Sequence, residues 1–234
     1  MQLNKQDEEL FNLLVTVAEK YKITLRIAGG YVRDALMDVQ SHDIDIAVEQ
    51  TTGLDFANKV VENLDQGKIG LIKANPDQSK HLETAVLNFN GREIQFSGFR
   101  KETYDTTRIP NVEIGTVLDD AFRRDFTLNS LYLNLHTGQI EDFTGLGLKD
   151  LQARTIRTPL PPKQTFLDDG LRILRAIRFA HRFNFTIHPD IFEAVKDPEV
   201  LTAFRTKVSR ERIAIELRKM LTENDPAGAI KTLS

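Results

Sequence analysis

Residues 28–49 read AGGYVRDALMDVQSHDIDIAVE. ITLRIA (23–28) alternates like a strand and runs into the glycine pair. YVRDALM then reads as a short helix, and DIDIAV (43–48) as a second strand. Side chains alternate across a strand, so Asp43 and Asp45 point one way while Ile44 and Ile46 face the core. Two carboxylates within about 7 Å of each other repel and lose hydration unless a cation neutralises them. Hard oxygen ligands in this number suit Mg²⁺, which keeps several waters and completes its shell with substrate phosphates. Two such ions, about 4 Å apart, activate an attacking hydroxyl and stabilise the leaving oxygen of an in-line displacement at phosphorus. Taken alone, the same pattern is also what a solvated edge strand carries.

The glycines upstream shift that balance. Gly29 and Gly30 close a strand and open a helix, which aims backbone N–H groups and the helix dipole at one spot, a favourable seat for phosphate. Arg33, one turn on, adds a charged fork for a triphosphate. Neither a Walker loop nor a GxGxxG fingerprint is present. A third carboxylate would anchor the ions better than two, and Glu93 on REIQF is the candidate; an exposed hairpin glutamate would look the same.

A chain of 234 residues is long enough for one large domain or two small ones. Without cysteine there are no disulfides, thiolate metal sites or thiol nucleophiles. The five histidines (42, 81, 136, 181 and 188) lack HxxxH or HExxH spacing, so zinc is not expected, and His42 reads as a strand-end hydrogen-bonding residue. No apolar run approaches a membrane span, and MQLNKQDEELF is neither a signal nor a transit peptide, which points to a cytoplasmic protein, with nuclear or mitochondrial pools compatible. The net charge of −3 divides unevenly: residues 151–234 carry 15 Lys/Arg against 10 Asp/Glu, and the acidic excess lies in the rest. An acidic first part fits bound cations and a basic second part a polyanion, although ordinary surface charge accounts for both.

Residues 5–20 and 53–65 carry helical stripes. ETAVLNF and REIQFSGF read as a hairpin through Asn90-Gly91, and SLYLNL with QIEDF as another through Thr137-Gly138. Residues 100–117 are polar and read as a mobile loop. From about 163 the pattern is helical: Leu167, Leu171, Leu174 and Ile177 mark one helix and SRERIAIELRKML (209–221), with Ser209 as N-cap, another. PLPPK (159–163) is the natural hinge. The expected fold class is α+β, a small mixed sheet with helices over 1–158 followed by an all-helical part over 159–234.

In LDDGLRILRAIRF, Ile173, Leu174 and Ile177 share one arc of a helix, and Asp169, Arg172, Arg175 and Arg178 spread over the other. A salt-bridged solvent face has that pattern. So does a base reader: cytosine and adenine both present an amino donor beside a ring-nitrogen acceptor, which Asp169 and Arg172 complement, whereas uracil and guanine would leave polar groups unpaired. In AFRRDFTLNSL, Asp125 is placed to cap a helix.

GGYVRD, HDIDIA, EIQFSGFR, RRDFTLNSL, DFTGLGLKDL, LDDGLRILRAIRF and SRERIAIEL, in that order, closely resemble the class II tRNA nucleotidyltransferases, the CCA-adding enzymes, whose branch includes bacterial poly(A) polymerases. RTPLPPKQTFLDD and HLETA resemble the eukaryotic, fungal type. The resemblance implies a polymerase-β-like nucleotidyltransferase head and a helical neck, with two Mg²⁺ held by Asp43 and Asp45 and Glu93 as third member. It implies CTP and ATP as substrates and the tRNA 3′ end as partner, with no membrane; it leaves the oligomeric state open. It assigns base recognition to Asp169 and Arg172, and a border of sugar and phosphates to Arg123, Arg124, Asp125 and Asn129. Arg175 and Arg178 would serve phosphate or base, and Arg100 and Arg108 would follow the triphosphate from a flexible loop. CC-only or poly(A) addition, or a silent RNA-binding module, would share these motifs. Two departures stand out. Gln95 replaces an acidic residue of some eukaryotic relatives, and the chain stops at DPAGAIKTLS, where family members continue into body and tail domains, so a truncated head-and-neck portion is expected.

Overall fold

A computed structural model describes residues 5–41, 43–63, 72–73, 84–89, 91–103 and 111–233. The readings of His42, Asn90 and Arg108 lie outside these residues. The chain folds as two compact units. One comprises Met1–Lys101, Val112–Asp120 and Asn129–Phe143; the other comprises Glu102–Asn111, Ala121–Leu128 and Thr144–Ser234.

The first unit begins with α1 (Lys5–Lys20), followed by β1 (Thr24–Ala28), α2 (Gly30–Leu36), β2 (Ile44–Glu49) and α3 (Gly53–Asn63). β3 (Ile72–Lys73), β4 (Ala85–Phe89) and β5 (Arg92–Gly98) follow. The stretch read as a loop is framed by β6 (Arg100–Thr103) and β7 (Asn111–Ile114), which pair as a two-stranded sheet; its polar composition hid two short strands. After α4 (Val117–Arg123) and a 3₁₀ turn at Thr127–Asn129, of which residues 121–128 belong to the second unit, the first unit resumes with β8 (Leu131–Asn134) and β9 (Ile140–Asp142). Among the described residues, seven strands form one mixed sheet in the order β3-β4-β5-β2-β1-β8-β9, with β2 and β5 parallel and the other pairs antiparallel. β4 pairs antiparallel with β5 and β8 with β9, as the two expected hairpins require, with Gly91 and Gly138 at positive φ. Ile27, Ile44, Ile46, Ile94 and Phe96 are fully buried, and Phe56 of α3 meets Phe96 edge-on with centroids 5.3 Å apart.

The second unit contains α5 (Gly147–Gln152), β10 (Thr155–Ile156), α6 (Pro162–Asp168), α7 (Leu171–Phe183) and β11 (Thr186–Ile187), then α8 (Pro189–Val195), α9 (Pro198–Lys207), α10 (Arg210–Thr222) and α11 (Pro226–Leu233). Pro162 sits at the first helical position of α6, where its missing N–H costs nothing. Residues 144–158 cluster with the helices because β10 pairs with β11, and Phe126 joins them by packing edge-on against Phe179. The single helix expected through Leu167 and Ile177 is two helices. Asp169 is extended (φ −147°, ψ 101°), and Gly170 lies so close to α9 that a Cβ there would meet the Phe204 Cα at 3.0 Å. α7 is buried on two sides, one against Phe126, Phe166 and Val200, the other against Val208, Met220 and Ala229. It therefore has no broad solvent face, which removes the surface-helix reading of its arginines.

Candidate active site

Gly29 adopts φ 66° and ψ −120°, a conformation that a Cβ resists, so the β1–α2 turn requires glycine. No side chain caps α2. The Arg33 guanidinium lies beside this turn, its Nη2 3.7 Å from where a Cβ on Gly30 would stand. Arg33 is buried: Nε donates to Asp34 at 2.7 Å and Nη1 donates to Asn129 Oδ1 at 2.5 Å. The expected triphosphate fork is thus tied into the protein by Asp34, and Asn129 serves it as acceptor.

Asp43 and Asp45 are both exposed, while Ile44 and Ile46 are buried. The strand alternation holds. Antiparallel pairing sets Ile27 beside Ile46, which brings Gly29 and the aspartates to the same end of neighbouring strands. Parallel pairing sets Ile44 beside Ile94 and Asp45 beside Gln95. Glu93 and Gln95 therefore occupy the exposed face that carries the two aspartates. Among the described residues, no three acidic or histidine side chains converge tightly enough to hold a metal by themselves. The donor set fits a cation that takes two carboxylates and fills its remaining positions with water and substrate phosphate, which is the habit of Mg²⁺.

In the second unit, Asp169 ends α6. Arg212 grips its carboxylate with both terminal nitrogens, Nη1 to Oδ1 at 3.0 Å and Nη2 to Oδ2 at 2.7 Å. The Leu171 N–H donates to Oδ1 at 3.1 Å. Arg172 is buried and donates from Nη2 to the Arg123 carbonyl at 2.6 Å. Asp168, next door, has its pKa pushed up by burial, against the pull of Arg172. Asp125 precedes the 3₁₀ turn Thr127–Asn129; Oδ1 accepts from the Phe126 N–H, and Oδ2 accepts from Arg175 Nε and Nη2 at 2.9 and 2.6 Å. Burial works to lower the Arg175 pKa, but the Asp125 charge and hydrogen bonds hold it above the usual value. Arg123 pairs with Glu102, and Arg124 is half-buried. Arg178, expected to serve phosphate or base, has a side chain that is 5 % exposed; its Nε donates to Glu216 at 2.5 Å and its Nη1 to Glu223 at 3.1 Å. The sequence reading left out Arg212; the signal was a cation in the first turn of a helix, where the dipole disfavours it.

A mixed sheet with an aspartate pair at the end of one strand, beside a Gly-Gly turn, is a polymerase-β-like nucleotidyltransferase head, here followed by helices. The chain belongs to the poly A polymerase head domain family, whose pattern matches residues 25–157. It is 46% identical, over 99% of its own length, to tRNA nucleotidyltransferase cca2 of Schizosaccharomyces pombe, and 45% identical, also over 99%, to the mitochondrial CCA tRNA nucleotidyltransferase of Saccharomyces cerevisiae. It covers 52% and 46% of those proteins, about half the length of each. A solved CCA-adding enzyme in complex with CTP matches 99% of this chain with a TM-score of 0.78 and 30% identity, the match covering 50% of that chain.

Proposed function

We propose that this chain carries the nucleotidyl-transfer centre of a CCA-adding enzyme, which passes CMP and AMP from CTP and ATP to a tRNA 3′ hydroxyl and releases pyrophosphate. The observation that carries this reading is the exposed Asp43–Asp45 pair at the same sheet end as the Gly29–Gly30 turn. When bound, a pair of Mg²⁺ ions held by Asp43 and Asp45 supplies hydroxyl activation and neutralisation of the triphosphate. Glu93, on the same face, adds negative charge that retains the cations. The uncapped start of α2 and Arg33, held by Asp34 and Asn129, orient the phosphates. Asp169 accepts from the amine of cytosine or adenine, and Arg172 donates to the ring nitrogen. Arg124 and Arg175, the latter fixed on Asp125, border the sugar and phosphates. The residues 1–158 serve as head and 159–234 as neck in this scheme. The names of the relatives support tRNA as acceptor, and the CTP-bound neighbour supports the nucleotide. Among the described residues no helix is long and apolar enough to cross a membrane. Action in the cytoplasm, with a mitochondrial pool as in the yeast relative, fits this reading.

The test is to incubate the protein with Mg²⁺, labelled CTP or ATP, and tRNAs ending before, within and after CCA, then count residues added. Completion of CCA and no further addition is the expected result. Addition of C alone or runs of A would replace the product, and absence of addition with tRNA binding unaffected by Asp43→Ala would replace the enzyme with a binding module.

A further inference from the structure

We infer that Arg212 is a positioning residue for base choice: it loads the Asp169 carboxylate so that a single acceptor position remains for the incoming base. The inference rests on the reading that Asp169 and Arg172 face that base. A carboxylate offers about four lone-pair positions. On Oδ1, Arg212 Nη1 and the Leu171 N–H fill two; on Oδ2, Arg212 Nη2 fills a third. One position is left, on Oδ2. That matches one amine N–H of cytosine or adenine and opposes the carbonyl oxygen that uracil or guanine would present there.

Three features show the arrangement to be built rather than incidental. The carboxylate projects from a helix break, not from a helix face, and Gly170 beside it packs closely against Phe204 and Val208. Arg212 stands in the first turn of α10, where its charge works against the helix dipole, and Ser209 Oγ accepts from its backbone N–H. Finally, Asp169 and Arg172 do not pair with each other: Arg172 donates to the Arg123 carbonyl instead, so the two groups that would read the base stay separate. Without Arg212, the freed Asp169 carboxylate can turn and engage Arg172, closing both reading positions at once.

The experiment measures equilibrium binding of CTP and UTP to this chain in Mg²⁺, for the wild type, Arg212→Met, Arg212→Lys and Asp169→Asn, with a thermal melt of each. Arg212→Met should reduce the CTP-over-UTP preference at least about tenfold, as should Asp169→Asn, because discrimination depends on which polar groups are left unpaired. Arg212→Lys, with one donor head in place of a fork, should recover part of the preference. If the wild type prefers CTP and folded Arg212→Met or Arg212→Lys keeps the full ratio while only its melting point falls, Arg212 is a structural ion pair and the inference is overturned. If the wild type itself does not distinguish CTP from UTP, the assignment of Asp169 and Arg172 fails first and takes the inference with it.

Discussion

Arg178 gives the sharpest separation between a structural and a functional arginine. Its guanidinium is enclosed with Glu216, the two side chains 5 % and 4 % exposed, and it lies over the Phe179 ring at 4.4 Å from the centroid. Removing one partner of a buried ion pair leaves an uncompensated charge and costs about 3–5 kcal/mol, whereas replacing both with apolar groups of similar volume is often neutral. Glu216→Ala should lie at the lower end, about 3 kcal/mol, because Glu223 still meets Arg178 at 3.1 Å. Arg178→Met should cost about 4–5 kcal/mol, since it strands the buried Glu216 carboxylate. The double variant Arg178→Met/Glu216→Leu should lose less than either single change. Urea unfolding of the four proteins gives the stabilities, and CTP titration of the double variant gives the function. A double variant that loses the sum of the single losses would refute the buried-charge argument. A folded double variant with CTP affinity reduced tenfold or more would return Arg178 to the triphosphate.

Tyr31 donates to the Asp7 carboxylate at 2.5 Å, and burial pushes its pKa up to about 12 from 10.0. The folded state thus holds the phenol proton more tightly than the unfolded chain, so this contribution is complete below pH 10 and is lost as the pH rises towards 12. Unfolding free energy should fall over that window, and a Tyr31→Phe variant should show a flatter alkaline decline. Gly29→Ala forces a Cβ into φ 66°, ψ −120° and should cost about 1–3 kcal/mol in denaturant unfolding; a neutral result would mean the turn tolerates a side chain. Glu93→Ala should slow nucleotide addition by about 100-fold or more with a smaller effect on CTP affinity, and an unchanged rate would remove Glu93 from the site.

The sheet of the head unit was legible because its signals are local. Alternation placed Ile44 and Ile46 inside and the aspartates outside, and Gly91 and Gly138 marked both hairpins. The helix break at Asp169–Gly170 was not legible, since Leu167, Leu171, Leu174 and Ile177 keep helical spacing straight through it. Gly170, just past the break, packs closely against Phe204 and Val208, a contact far along the chain that spacing does not reveal. The arginines of α7 show the same limit. Spacing set them on a polar arc, but only tertiary packing brings Arg178 to Glu216 of α10 and Arg175 to Asp125, which follows α4. Arg212 escaped notice because its partner lies 43 residues away. Polar pairings over that distance leave no periodic trace.

The most direct measurement is a CTP titration of this chain with Mg²⁺, then with chelator, repeated on Asp43→Ala and Asp45→Ala. Affinity that depends on the ion in the wild type and is lost in both variants is the predicted result. CTP binding of equal strength in all of these conditions would contradict the assignment of the aspartate pair as the metal seat.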